Sequence, residues 1–470
     1  MRFFSRISTI LGLCFISTFA LAQGVPGGGG IPGGGGGGGL VPGIPGGGFG
    51  VPGGIIIDAQ GMVQLRNVQQ VAPAELRKIR EGFLDTALPP EMIPATEQRT
   101  LSLKKLDETL RQILEKGEVI PEGLRYLGGL QRVDVIVFDR QNQDVLIVGP
   151  AEGFGPDPMG CMVGVNTGRP PMRLDDLVTA LRTMQSNQTS IGCSIDPQAD
   201  NLARLQNYLQ VSSTPATVGV VRQRYQQMAQ ILGQQEVRIW GVPNDSHFAL
   251  ALVEADYRMK RISLGLDPSG VRGIRSHLSM LAPQGNSLQR WWFVPMYDPL
   301  ETNQDGTVFK LTGQRAKLMS QEEISDASGN RVNSQFTRQS TQRFAMAFTN
   351  HFSELADKSP PFAELQSLYD LAVVGALIRT EGPRLLARNP FPTLMASEQL
   401  PEGKYPVPKT VPSQSTYRKA GNSLIGLIGG VTIDLAPVVQ NVTRSIDGDG
   451  SEFSRTIGDG SWYGDAAPAQ

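Results

Sequence analysis

The chain is poor in the residues on which most enzyme chemistry relies. Three cysteines and three histidines are spread through 470 residues, so thiol, imidazole and thiolate–metal sites have few places to form. Neither H-E-x-x-H nor C-x-x-C occurs, and no metal site is expected. The G-x-S-x-G elbow of serine hydrolases is missing too. An excess of positive charge is also lacking. Lys and Arg number 43 against 44 Asp and Glu, with no basic cluster, whereas a nucleic-acid partner calls for a cationic stripe that neutralises phosphates. Long apolar runs are few. Ile7–Ala20 falls short of the about 20 residues that span a bilayer. Leu424–Val439 is broken by Gly429, Gly430, Asp434 and Pro437. The mature chain is therefore expected to lack a membrane span, and no cofactor is expected.

Glycine and proline, by contrast, are abundant at the N-terminus. Arg2 and Arg6 precede the apolar run, and Ala20-Leu21-Ala22 puts small residues at the cleavage-defining positions. Residues 1–22 thus have the layout of a secretory signal peptide, cut between Ala22 and Gln23. Cys14 follows Leu13 and precedes more apolar residues, which argues against a lipoprotein anchor. The expected location is outside the cytoplasm: periplasmic, cell-envelope or secreted. Residues 23–54 repeat units such as VPGGGG and IPGGGGGGG. Their backbone entropy is large and few side chains offset it, so this low-complexity tract is expected to be a disordered tether spanning about 30 Å.

After the tether the hydrophobic period changes along the chain. Residues 55–130 are expected to be helical, with Leu103, Leu106, Leu110 and Ile113 forming one stripe. Residues 131–381 alternate strands and helices. VDVIVFDRQNQDVLIVGP predicts two strands joined at Gln141–Asp144, and Phe344, Phe348, Phe352 and Leu355 mark a helical face. A following helix is almost wholly apolar at LAVVGALI, which predicts burial on all sides. Prolines crowd residues 382–420, which are expected to be a connector; residues 421–470 form a C-terminal segment with a flexible tail. The fold class is α/β or α+β, a mixed sheet with packed helices.

Several blocks resemble a family of uncharacterised secreted proteins of planctomycete bacteria. They are IPEGLRYLGGLQRVDVIVFD, VGPAEGFG, TGRPPMRLDDLVTALR, IGCSIDPQ, HFALALVEADYRMKRISLGL and FAELQSLYDLAVV, between Ile120 and Val374. The resemblance implies an exported α/β domain of unknown function. It carries no catalytic or ligand residue to transfer.

The densest local cluster is PNDSHFALALVEADYRMKRIS. It supplies the ligand-binding candidates Asp245, His247, Glu254, Asp256 and Arg258. Helix pairing explains most of these charges, because Glu254 and Asp256 precede Arg258 and Lys260 by four residues. His247 and Glu254 share a face but stand about 10 Å apart along the axis, so they need a substrate or another segment between them. Cys161 and Cys193 allow a disulfide closing a loop of about 32 residues, worth about 3–4 kcal/mol. They equally allow two buried thiols. VLIVGPAEGFGPDPMG invites a phosphate-loop reading, but Pro156 and Pro158 occupy the place of the helix that would meet the anion. Ser102-x-x-Lys105 lies on the flank of an amphipathic helix. Asp447-Gly448-Asp449-Gly450 starts like a calcium loop and departs from it at Glu452 and Gly458.

These observations favour an exported, non-catalytic protein with a binding or envelope-structural role and an unidentified envelope or extracellular partner. The alternative is a secreted hydrolase using His247 with nearby carboxylates. Exposed aromatics at Trp291, Trp292 and Phe293 would signal a partner chain instead.

Overall fold

A computed structural model describes residues 73–414 apart from 159, 187–189, 212–217, 282–287, 326–327, 329–330, 334 and 388–389. It also describes the short strands Ile55–Ile57, Val63–Leu65, Arg418–Ala420, Ser423–Ile425, Val431–Asp434, Val442–Ile446 and Tyr463–Asp465. The signal and tether segments and the Asp447–Gly450 motif fall outside the described residues.

Strand β1 (Thr96–Ser102) runs directly into helix α1 (Leu103–Glu115). Strands β2 (Val135–Asp139) and β3 (Asp144–Ala151) follow as the expected hairpin. Its turn is built by Asp139, whose carboxylate accepts the N–H groups of Gln141 and Asn142 at 3.0 Å. Helix α2 is Leu174–Gln185, β4 Ser190–Pro197, β5 Gln234–Trp240 and α3 His247–Leu264. Strands β6 (Leu288–Met296), β7 (Val308–Lys310) and β8 (Arg315–Ser325) precede helices α4 (Gln339–Asn350), α5 (Phe352–Lys358) and α6 (Pro360–Leu385).

The largest sheet has seven strands in the order Val442–Ile446, Leu300–Asn303, β7, β2, β3, β1, Tyr463–Asp465. Every neighbour is antiparallel except the first pair. Strands β4 and β5 centre a four-stranded sheet, and β6 pairs with β8 in a three-stranded one. The protein is a mixed α+β fold with α6 as its axis.

Helix α6 is long and apolar enough to cross a membrane, and all of that apolar stretch is packed inside the protein. Helix α2 lies against it at Gly375, where a β-carbon would sit 3.0 Å from the Ala180 carbonyl oxygen. Phe293 of β6 meets Phe348, Phe352 and Phe362 with ring centroids 5.7, 5.9 and 6.2 Å away. The expected stripe Phe344–Leu355 is buried, but two helices carry it, because the chain leaves helical geometry at His351 (φ −115°). One hydrophobic cluster runs from Leu88 to Val411, so the preceding helical section and the proline-rich connector both contribute to the same core as residues 131–381. Trp291 and Phe293 are fully buried and Trp292 partly so, so they do not form the exposed aromatic patch that would have signalled a partner chain.

Strand β1 carries no clean alternation of apolar residues, and its sequence TEQRTLS gave no sign of it. Its last residue, Ser102, does two jobs. The hydroxyl caps α1 by accepting the Lys105 N–H at 3.0 Å, and it donates to the buried Asp144 carboxylate. The Ser102-x-x-Lys105 pattern is thus a helix cap. Ser102→Ala is expected to cost about 1–2 kcal/mol, because the cap and a donor to a buried carboxylate go together; urea unfolding measures it, and a loss below about 0.5 kcal/mol counts against the double role.

Candidate functional site

Ser246 caps α3 by accepting the Ala249 N–H at 3.1 Å, which sets His247 in the first helical turn, facing inward. Its ring is 1% exposed. Nδ1 lies 2.8 and 3.0 Å from the two carboxylate oxygens of Asp176 on α2. A carboxylate only accepts, so Nδ1 donates, and Nε2 has no hydrogen-bond partner among the described residues. Glu364 of α6 approaches Nε2 only to 4.0 Å, beyond hydrogen-bond reach. Two turns further along α3, Glu254 is buried with both carboxyl oxygens unpartnered among the described residues. Tyr405 stacks edge-on against His247 at 5.1 Å and donates to Asp175 at 2.6 Å. The guanidinium of Arg173 lies 5.1 Å from the centre of the Tyr126 ring, so a cation also sits among these carboxylates.

The proposed candidates therefore do not come together as one site. His247 and Glu254 face α2 and α6. Asp256 looks the other way and pairs with Lys260 at 2.5 Å, next to Cys193. Arg258 binds Asp267, and Asp245 is an exposed carboxylate 3.9 Å from Lys404. Glu364 comes near both His247 and Glu254 but stops 4.0 Å from the ring, and no hydrogen bond joins the three among the described residues. Cys161 and Cys193 are not joined: Cys193 is on β4, and Cys161 lies in the turn between the short strands Phe154–Pro156 and Met162–Gly164. His277 lies 3.3 Å from Thr341 and His351 lies 3.6 Å from Glu354. Among the described residues, no group of three or more His, Cys, Asp or Glu is arranged to hold a metal ion.

Burial governs the protonation of this region. It pushes the Glu254 carboxyl well above the usual range, and the nearby Glu364 adds to the shift. Glu364 is raised by burial as well, against the pull of His247 and Arg173. Asp144 is pushed up to about 6 by burial, opposed by Ser102. Each of these acids holds its proton longer folded than unfolded, so each makes stability fall as pH rises from the unfolded value of about 4. His277 acts oppositely: burial lowers it to about 3, so charging it in the unfolded state costs stability as pH falls below about 6.5. Asp256, pushed up to about 7 by burial, and the raised Asp107 and Asp370 act in the same direction as the carboxyls above, so six buried carboxyls against one imidazole give a net expectation. The melting temperature should rise when pH is lowered from 7 to 5, and Glu254→Met should flatten that rise. A melting temperature that falls steadily over the same interval contradicts the assignment.

Residues 193–277 match the family described as "Protein of unknown function (DUF1598)". The match covers under a fifth of the chain. Searches of curated proteins and of solved structures find no match. The DUF1598 stretch runs from Cys193 on β4 to His277, and holds β5 and α3. It supplies His247 and Glu254 to the buried cluster, while Arg173, Asp176 and Glu364 come from outside it. The domain is thereby locked to the rest of the chain through buried charge.

A second feature lies wholly outside the DUF1598 stretch. A cleft of about 540 Å³ opens at one end of the seven-stranded sheet, where α5 and α6 face the ends of β1, β2, β3 and β7. Four cations line it: Arg132, Arg169, Lys310 and Arg315. Gly149 in its wall lets the backbone at Arg132 pass, since a β-carbon there would lie 2.0 Å from the Arg132 carbonyl oxygen. Arg315 forms the floor. It donates to Asp370 at 2.9 Å, to Asp134 at 2.8 Å, and to the carbonyls of Val133 and Leu311 at 2.8 Å. Arg169 is also buried, and reaches Asp357 and Gln366. No spacing in the sequence marked these cations as neighbours. The one available signal was in α6, where Glu364, Gln366, Ser367 and Asp370 fall within the buried, mostly apolar part of the helix. Such groups need partners when buried; Gln366 finds Arg169, Asp370 finds Arg315, and Glu364 comes within 4.0 Å of His247.

Proposed function

We propose that the protein is an exported, non-catalytic binding protein that takes its ligand in the arginine-lined cleft. The leader and tether motifs in residues 1–54 support export and a mobile attachment of the folded part to an envelope or extracellular partner. The observation that carries the binding role is the cleft itself. Its volume of about 540 Å³ lies in the range of small-molecule sites, about 300–1,000 Å³. Its lining is guanidinium, amide and carboxylate, groups that hold a ligand by directed hydrogen bonds.

The hydrolase alternative draws on a specific geometry, the Asp176–His247 pair with Nε2 unpartnered. Against it stands burial: at 1% exposure the ring meets no substrate unless the helices separate. A thermal-shift screen of the mature chain against sugars, peptides, nucleotides and small organic acids tests the two readings together. A ligand at a hundredfold its Kd adds about 2.7 kcal/mol to the folded state. A shift abolished by Arg169→Met and kept in His247→Gln supports the cleft. Turnover of any screened substrate that His247→Gln abolishes overturns the non-catalytic reading.

A further inference from the structure

Arg169 is a buried cleft cation whose ion-pair partner is mostly exposed. Its side chain is 6% exposed, whereas its ion-pair partner Asp357 is 60% exposed. Arg315, by comparison, is answered by Asp370, which is completely buried. The second Arg169 arm donates to the Gln366 amide oxygen at 2.9 Å, which carries no charge. Nε is buried with no partner among the described residues. Burial also pulls the Arg169 guanidinium below its ordinary range, Asp357 opposes this, and Arg132 adds to it. A guanidinium in such a place stays charged, and so it lacks full compensation.

Asp357 is poorly placed to supply that compensation permanently. It is the next-to-last residue of α5, which ends at Lys358, and the C-terminal turn of a helix disfavours a carboxylate. A half-exposed pair of this kind contributes little to stability. What it does is hold a carboxylate at one arm of Arg169 at the mouth of a cleft lined by three more cations.

We infer that the cleft binds a carboxylate-bearing ligand, and that Asp357 occupies the ligand's seat on Arg169 until the ligand displaces it. This rests on the cleft being the binding site and names the ligand class. Guanidinium holds a planar carboxylate through two parallel N–H···O bonds. A ligand carboxylate replaces the Asp357 oxygen without changing the charge balance around Arg169, and the displaced Asp357 returns to water. Binding therefore costs little desolvation at Asp357, which is already exposed.

The test uses the full mature chain and titrates glutarate and citrate, with glutaramide as the neutral analogue and inorganic phosphate for comparison, by calorimetry. Asp357→Asn removes the internal competitor, and glutarate or citrate should bind about tenfold more tightly, as loss of one charged competitor predicts. Arg169→Met should weaken binding at least tenfold, and Gln366→Leu, which leaves the charge in place, should weaken it less. Thermal melts of each variant separate lost binding from lost folding, and Arg169→Lys serves if the methionine variant does not fold. Unchanged or weaker binding in Asp357→Asn overturns the displacement. Equal binding of glutaramide, or phosphate alone binding, overturns the carboxylate class and leaves the cleft as a binding site. If nothing in this set binds and the broader screen shows no ligand sensitive to Arg169→Met, the binding reading of the cleft itself fails.

Discussion

Replacing Arg315 by methionine is expected to destabilise the protein by about 3–5 kcal/mol, the cost of breaking a buried ion pair by removing one partner. Asp370 is completely buried on α6 and depends on that guanidinium. It would retain the Tyr297 hydroxyl at 2.7 Å and the Val133 N–H at 3.0 Å. Those donors satisfy its oxygens but not its charge. Burial already raises the Asp370 carboxyl, with Arg315 as the main opposing group, so the variant should unfold or take up a proton there. Two backbone carbonyls, Val133 and Leu311, lose their donors at the same time. Arg315 also holds a left-handed backbone, φ +71°, which a residue with a side chain adopts only where its surroundings over-determine it. The matching double variant, Arg315→Met with Asp370→Leu, removes both charges and should recover much of the loss. Urea unfolding of the two singles and the double gives the coupling energy. A single-variant cost below about 1 kcal/mol, the value of an exposed pair, contradicts this account.

His247→Ala is expected to cost a similar amount, about 3–5 kcal/mol, from a cavity and from the loss of a hydrogen-bond donor to a buried carboxylate. Asp176 is buried against the His247 ring, and removing that ring leaves its carboxylate without the Nδ1 donor and close to Glu364, with Arg173 as a nearby cation. Three elements meet there: α2, α3 and α6. The loss should therefore appear as a lower melting temperature of one cooperative transition rather than as local fraying. Asp176→Asn with the histidine intact should cost less, since the amide oxygen still accepts from Nδ1. If His247→Ala melts like the native protein, the cluster is not a structural clamp, and a role for the ring in chemistry becomes the better account of why an unpartnered imidazole nitrogen is kept in the core.

The local elements were legible because each is encoded by neighbours in the chain. The α1 stripe, the β2–β3 hairpin and the buried α6 all follow from period and end signals. Strand β1 was not legible, because TEQRTLS shows neither alternation nor an apolar run; its pairing with β3 and its junction with α1 define it. The break at His351 was hidden too, since the phenylalanine stripe continues across it.

The candidate site divides the same way. Composition alone made metal and nucleic-acid chemistry poor expectations, because few ligand residues and no basic stripe are present. The pattern within α3 showed that His247 and Glu254 share a face and need a substrate or another segment between them. That Glu364 comes near both, and that Asp176 holds the ring, was decided by the packing of α2 and α6 on α3. The cleft belongs entirely to tertiary structure: Arg132, Arg169, Lys310 and Arg315 come from separate segments, and only the end of the seven-stranded sheet brings them together. The physical reason is range. Hydrophobic period and capping act over a few residues and leave a trace in sequence. A buried charge is tolerated only when a distant partner arrives to compensate it, and which partner arrives depends on how the helices and sheets pack.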